Sequence, residues 1–203
     1  MKKTSKSFKN KYLDFTLMLS FILCLYPIFF LSEIDIENSN ILFSFSNYLV
    51  DVFPNIENIS KISETNNLYH FAKVQITLSI ILSFFLVAPM ILYVFGKVYL
   101  TSLGYMKKDE NYYISIINNQ KVVFSKSRDF IITCVIFFAI FDYHLTGVLF
   151  VISNENLDIY ELIYSSKLGL LLFSYIFSTM VVFFIIIIFL ESLAQIKRRN
   201  HNE

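Results

Sequence analysis

Apolar residues along this chain are gathered into four long blocks, separated by stretches rich in polar and charged residues. The blocks cover residues 12–31, 74–96, 130–152 and 168–190. At about 1.5 Å per residue, a helix over each block is long enough to cross a hydrocarbon core of about 30 Å. Strands of a membrane barrel alternate between apolar and polar residues, whereas residues 181–190 are apolar throughout. The pattern predicts an all-α membrane protein with four transmembrane helices.

Composition supports this prediction. The 203 residues are 56% hydrophobic and only 16% charged, whereas charged residues make up about a quarter of an ordinary soluble domain. Four buried helices in so short a chain would leave too little polar surface to cover them in water. The whole chain, 1–203, is therefore interpreted as a single polytopic membrane domain whose first partner is the lipid bilayer.

Lysine and arginine alternate between the segments that separate the blocks. Fourteen of the 17 lie before the first block, between the second and third, and after the fourth, and only Lys61, Lys73 and Lys167 lie elsewhere. Because cytoplasmic loops retain positive charge, both termini and the loop 97–129 are predicted to be cytoplasmic. Loops 32–73 and 153–167 are then external, in a membrane expected to be the bacterial inner membrane. Orientation and anionic lipid account for the basic face, so no nucleic-acid partner is expected.

Two loops carry patterns of their own. In the external loop, apolar residues recur every three or four positions up to Phe53, which predicts a short interfacial helix that Pro54 ends. Its Phe45, Leu49 and Phe53 are interpreted either as a cap on the bundle or as a docking surface for a protein partner. Residues 55–67 are polar and are expected to be irregular. In the cytoplasmic loop, two β-prone runs at 112–117 and 121–125 predict a small β-hairpin.

Asp142 is the main polar candidate inside the membrane. The apolar run 130–141 is too short to cross, so a spanning third helix must also carry Asp142 and Thr146, with Asp142 about 18 Å deep. Ser178, Thr179 and Ser83 fall at a similar depth on the neighbouring helices, which predicts a polar layer across the bundle. Asp142 is interpreted as a hydrogen-bonding link between helices, as a site for a proton, an ion or a partner helix, or, if the span is shifted, as a group near water.

Motifs of catalysis are absent from the sequence: it has no phosphate-binding loop, no His-Glu-x-x-His and no Gly-x-Ser-x-Gly. Cys24 and Cys134 fall inside predicted helices and are read as packing residues. No enzyme activity, cofactor or metal is therefore expected. A binding or accessory role, through a protein partner in the membrane or at its external face, is the first hypothesis.

The general layout is similar to that of small immunity proteins, which protect cells from pore-forming bacteriocins by contacting the toxin within the bilayer. The similarity rests on four spans, cytoplasmic ends and the absence of catalytic motifs, and on no individual residue. The alternative is a small transporter or channel subunit that uses Asp142 as an ion or proton site. Because four helices seldom enclose a pathway alone, that alternative favours a homo-oligomer.

The predicted orientation can be tested with fusions to a reporter enzyme that is active only outside the cytoplasm. The reporter should be active when it is fused after Ser60 or Asp158, and inactive after Lys108 or His201, because only the first two positions are predicted to be external. Reporter activity after Lys108 would overturn the four-span arrangement.

Overall fold

The structure, a computed structural model, describes residues 8–97, 127–141, 161 and 163–202. All regular secondary structure in these ranges is helical. We number the helices in chain order as α1 Phe8–Phe30, α2 Glu33–Asn38, α3 Asn40–Asn47, α4 Pro54–Glu64, α5 Tyr69–Gly96, α6 Ser127–Phe141 and α7 Lys167–Asn202. The predicted β-hairpin at 112–125 lies outside the described residues.

Three of the helices are long and apolar enough to cross a membrane. They are Tyr12–Phe30 within α1, Tyr69–Gly96, which is α5, and Lys167–Leu193 within α7, with mean hydropathies of 2.0, 2.5 and 2.7. They correspond to the first, second and fourth predicted spans and indicate an integral membrane protein. The third prediction is described only over α6, whose 15 residues extend about 22 Å. The remainder of that predicted span, including Asp142 and Thr146, lies outside the described residues.

Helices α1, α5 and α7 pack against one another around a common core. At the end of the bundle near Gly96, each of the three helices contributes aliphatic residues to this core. They are Leu13 of α1, Val87, Ile91 and Val94 of α5, and Val182, Ile186 and Leu190 of α7. Helix α6 lies beside α7, where the rings of Phe137 and Phe184 are 4.7 Å apart. Most of its other described apolar side chains are exposed.

Helix α5 is widened by two π-helical turns, at Ser83–Val87 and Leu92–Gly96. Between them lies Ala88–Ile91, which contains Pro89. A proline inside a helix has no N–H to donate, and its ring crowds the carbonyl one turn earlier, so the helix must bend or widen there. The structure places π-helical turns on both sides of this proline.

The segment between α1 and α5 forms three short helices, which we call the cap (α2 to α4). Helix α3 covers the first part of the predicted interfacial helix, but it ends at Asn47 and is followed by turns. Pro54 begins α4. A proline suits the first position of a helix because its fixed φ is already helical and its missing N–H would have no partner there.

The expectation that residues 55–67 are irregular was wrong, because α4 extends to Glu64. Its buried residues are Ile56 and Ile59 together with Asn55 and two serines. Those serines hide their polarity by donating to the carbonyl four residues earlier, Ser60 to Ile56 at 2.7 Å and Ser63 to Ile59 at 3.1 Å. The polar composition of this segment therefore did not reveal that one face of it is buried.

Gly169 allows the chain to pass very close to the first turn of α7. A Cβ atom added there would lie 1.9 Å from the carbonyl oxygen of Ile163, which is backbone and cannot rotate away. We expect Gly169→Ala to destabilise the protein by about 1–3 kcal/mol, the usual cost of overpacking. Gly96→Ala is the matched control, because its Cβ would meet only side-chain atoms at 3.7 and 3.8 Å. Melting in detergent measures both, and equal melting temperatures would contradict the close approach.

Candidate functional site

Buried polar side chains are concentrated where α1, α5 and α7 meet. We call this group the polar seam, and it consists of Ser20 and Cys24 of α1, Gln75 and Ser79 of α5, and Ser174 and Tyr175 of α7. All six are shielded from solvent in the bundle. Side chains of this kind need partners, because an unpaired polar group in an apolar environment is costly.

One half of the polar seam joins all three helices. The Ser79 and Ser174 hydroxyls are 2.9 Å apart, which links α5 to α7. The side-chain amide of Gln75 donates to the carbonyl oxygen of Cys24 at 3.1 Å, which links α5 to α1. The Cys24 sulfur also lies 3.8 Å from the Ser79 hydroxyl. A single serine thus stands at the point where the three helices meet.

Tyr175 forms the other half of the polar seam. Its hydroxyl donates to the carbonyl oxygen of Leu17 at 2.7 Å and lies 2.5 Å from the Ser20 hydroxyl, so it joins α7 to α1. The ring of Phe21 packs edge-on against the tyrosine ring at 5.3 Å. Hydrogen bonds between helices in a membrane contribute about 0.6 to 2 kcal/mol each. Together these contacts hold the bundle in one register.

The structure describes three of the residues assigned to the predicted polar layer. Ser83, Ser178 and Thr179 are all buried, as a polar layer inside the bundle requires. Thr179 donates to the Tyr175 carbonyl of its own helix, and no hydrogen bond joins Ser83 to either α7 residue in the described part of the chain. Asp142 and Thr146 lie outside the described residues. The hydrogen bonds between helices are made about one turn closer to the cap, by Ser79 and Ser174.

Sequence reasoning missed the residues of the polar seam that make most of these bonds. A signal for them exists: Gln75, Ser79 and Ser83 are spaced by four, and so are Ser174 and Ser178. Residues four apart share one face of a helix. Two such polar stripes in otherwise apolar helices indicate faces that meet each other, because lipid would not solvate them.

A second cluster fastens the cap to α5, and we call it the cap clamp (Asn47, Glu57, Tyr69 and Lys73). The Lys73 ammonium lies 2.6 Å from a carboxylate oxygen of Glu57 and 3.3 Å from the side-chain oxygen of Asn47. It also lies 4.4 Å from the centre of the Tyr69 ring, whose hydroxyl donates to Glu57 at 2.5 Å. Lys73 is only 6% exposed. The cap clamp therefore ties α3 and α4 to α5.

The charge of Glu57 depends on these neighbours. Burial raises the pKa of this carboxyl, but the hydrogen bonds from Lys73 and Tyr69 outweigh that effect and hold the pKa below its ordinary value. A carboxyl whose pKa is lower in the folded than in the unfolded protein stabilises the fold above its ordinary pKa. That contribution is lost as the pH falls through the lowered value.

Two further contacts close the same end of the bundle. The Glu33 carboxylate accepts hydrogen bonds from the backbone N–H groups of His70 at 2.5 Å and Phe71 at 2.8 Å, at the start of α5. Those N–H groups have no partner within the helix, and an anion is favoured beside them. On α7, the Lys167 ammonium donates to the Leu31 carbonyl at 2.7 Å. The first residues of both long helices are thereby bound to the segment that follows α1.

The predicted docking residues Phe45, Leu49 and Phe53 are partly buried and pack against the core at the cap end. In these positions they cover part of the core, and a docking role for them stays a prediction. The apolar residues of the cap that face outwards are others, chiefly Ile34, Ile41, Tyr48 and Val52.

Within the described residues, no group of three His, Cys, Asp or Glu side chains could hold a metal ion. Most polar groups of the polar seam and the cap clamp are bound to one another or to backbone, as Ser79 is to Ser174 and Lys73 to Glu57; the side-chain oxygen of Gln75 is buried without a hydrogen-bond partner among the described residues. Comparisons with protein-family models, with curated proteins and with solved structures found no match to this chain.

The cap clamp can be tested by comparing two lysines that lie near the same carboxylate. Lys73→Met leaves a half-buried Glu57 without its ammonium, and we expect a loss of about 1–3 kcal/mol, less than for a fully buried pair because Glu57 keeps some exposure. Lys61 is 62% exposed on its side chain and 3.9 Å from Glu57, so Lys61→Met should change stability by less than about 0.5 kcal/mol. Denaturation in detergent measures both, and equal losses would contradict a specific role of Lys73.

Proposed function

We propose that this chain is a non-catalytic protein of the bacterial inner membrane that acts by binding another protein, as an immunity-type protein does against a pore-forming bacteriocin. The observation that carries the proposal is that buried polar side chains bind one another between helices. Ser79 with Ser174, Ser20 with Tyr175, and Lys73 with Glu57 are engaged in contacts between helices. These contacts stabilise the helix bundle. The surfaces that remain for a partner are the apolar faces of the helices and the cap.

The predicted orientation of the chain determines which of these surfaces a toxin would meet first. With both termini in the cytoplasm, the cap lies on the external side, where a toxin would first meet the protein. The exposed face of α1 is apolar along its length, with Phe15, Met18, Ile22 and Phe29 all more than 40% exposed. Lipid covers such a face by default, and a toxin helix that enters the bilayer could replace the lipid there.

The proposal is tested by producing the chain in bacteria that are sensitive to pore-forming bacteriocins and exposing the cells to a panel of purified toxins. Survival and potassium retention should rise at least tenfold against one toxin of the panel, relative to cells with an empty vector. Gly96→Ala protein, which should fold normally, should protect equally. Absence of protection across the panel, with the protein present in the membrane in verified amounts, would contradict an immunity role against those toxins.

The alternative function is a transporter or channel subunit with Asp142 as its ion or proton site. The observation that favours it is that two fully buried hydroxyls of α5, those of Thr77 and Ser83, have no hydrogen-bond partner among the described residues. In proteoliposomes, Asp142→Asn should then abolish flux while the protein stays folded, because an amide cannot exchange a proton. If Asp142 only links helices, Asn should preserve activity and Leu should loosen the bundle.

A further inference from the structure

Helix α4 runs back along α5, antiparallel to it. A short turn joins Glu64 at the end of α4 to Tyr69 at the start of α5. Earlier in α4, Glu57 lies beside Tyr69 and Lys73 of α5. Ile56, nearer the start of α4, and Ile59 line one small cavity together with Ile76 of α5 and with residues of α7, namely Phe173, Ser174, Phe177 and Ser178. The first turns of α4 are therefore far from the end of the bundle at which α5 begins.

Helix α3 runs in the same direction as α5. The ring of Phe43 is 5.8 Å from that of His70, and one turn later the Asn47 side chain reaches Lys73. Helix α3 therefore leads into the bundle and α4 leads out of it. The two form a hairpin, and residues 48–53, which we call the hairpin tip, connect them at its deepest point. The opposite end of α4 is the polar turn of residues 65–67, which is exposed.

The depth of the hairpin tip follows from the lengths of the long helices. Helix α5 has 28 residues, about 42 Å, whereas a hydrocarbon core is about 30 Å thick. If Gly96 marks one boundary of the core, the other falls about 20 residues earlier, near Ile76. The same count on α7, back from Leu193, reaches Phe173. Ile76 and Phe173 line the same cavity as Ile56 and Ile59, so both helices place the boundary at the level of the first turns of α4.

The residues of the hairpin tip are suited to the boundary between hydrocarbon and headgroups. Its Leu49, Val50 and Phe53 pack on the core, whereas Tyr48 is 70% exposed and Val52 is 56% exposed. A tyrosine suits the membrane interface, where its ring lies in lipid and its hydroxyl in water. Asp51, the only charge in the tip, is exposed. A carboxylate is costly in hydrocarbon, so Asp51 limits the tip to the depth of the headgroups and the first acyl carbons.

We propose that the α3–α4 hairpin is a membrane-inserting element whose tip, residues 48–53, enters the lipid leaflet at the cap end and seats Tyr48 and Val52 among the lipids. The surface that these residues offer continues the lipid-facing surface of the three long helices, since it lies at or below the boundary that α5 and α7 define. The cap is thus held partly by lipid, in addition to the cap clamp. This inference does not depend on a toxin partner or on which side of the membrane the cap occupies.

The sequence contains no tryptophan, so a single introduced tryptophan reports on its own surroundings. We would prepare Tyr48→Trp and Val52→Trp in vesicles of lipids brominated on their acyl chains, and measure quenching by the bromines and by aqueous iodide. Phe85→Trp is the lipid-exposed control, because Phe85 is 80% exposed in the middle of α5. Asn66→Trp, in the polar turn at the other end of the hairpin, is the aqueous control.

Both tip variants should resemble the Phe85 control. We expect emission shifted to shorter wavelength, strong quenching by brominated lipid and at least threefold weaker quenching by iodide than for Asn66→Trp. Quenching of the tip variants by iodide as strong as that of Asn66→Trp would overturn the proposal, because the tip would then lie in water. Protection from both quenchers would also overturn it, because the tip would then be covered by protein, either another part of this chain or a second copy.

Discussion

Hydrogen bonding between apolar helices is the interaction on which this structure depends. In lipid, the burial of a leucine against another leucine yields little, because acyl chains are as apolar as the side chain itself. What distinguishes the native packing of α1, α5 and α7 is that it gives partners to Ser20, Gln75 and Ser174, which have none in hydrocarbon. The polar seam therefore selects which helix faces meet, and the apolar residues around it fill the space that this choice leaves.

The cap depends on the same constraint at the level where the membrane ends. The lone lysine in the first turns of α5 would be costly so close to hydrocarbon, and Glu57 and Asn47 of the cap supply its partners. Glu33 similarly satisfies the first N–H groups of α5. A chain that must satisfy these groups at the boundary cannot leave the segment between α1 and α5 as a free loop. The result is a cap that is bound to α5 through Glu33, Asn47 and Glu57.

The sequence predicted what depends on composition over long windows and missed what depends on pairing between distant residues. Residues 12–31, 74–96 and 168–190 correspond closely to helices in the structure, because a run of apolar residues in lipid has to be helical to satisfy its backbone. Helix α4 was missed because most of its buried residues are polar, namely Asn55, Ser60 and Ser63. The partners of Lys73 and Ser79 were missed because both lie on other helices, and the spacing along one helix does not identify residues on another.

The predicted polar layer shows the same limit. Counting residues from the ends of the helices predicted a similar depth for Ser83, Ser178 and Thr179, which the structure describes as buried. It could not tell which rotation of each helix faces the others, and so it did not identify Ser79 and Ser174 as the pair that bonds. The stripes of polar residues at spacing four carried that information about rotation.

A double-mutant cycle on Ser79 and Ser174 tests most directly whether the polar seam holds the helices together. Unfolding free energies in detergent would be measured for Ser79→Ala, Ser174→Ala and the double variant, with Ser79→Ala combined with Ser166→Ala as the control pair, since no described hydrogen bond joins Ser79 to Ser166. The hydrogen bond predicts that the losses of the first pair fall short of additivity by about 0.6 to 2 kcal/mol, while the control pair is additive. Additive losses for Ser79 and Ser174 would contradict this account of the bundle.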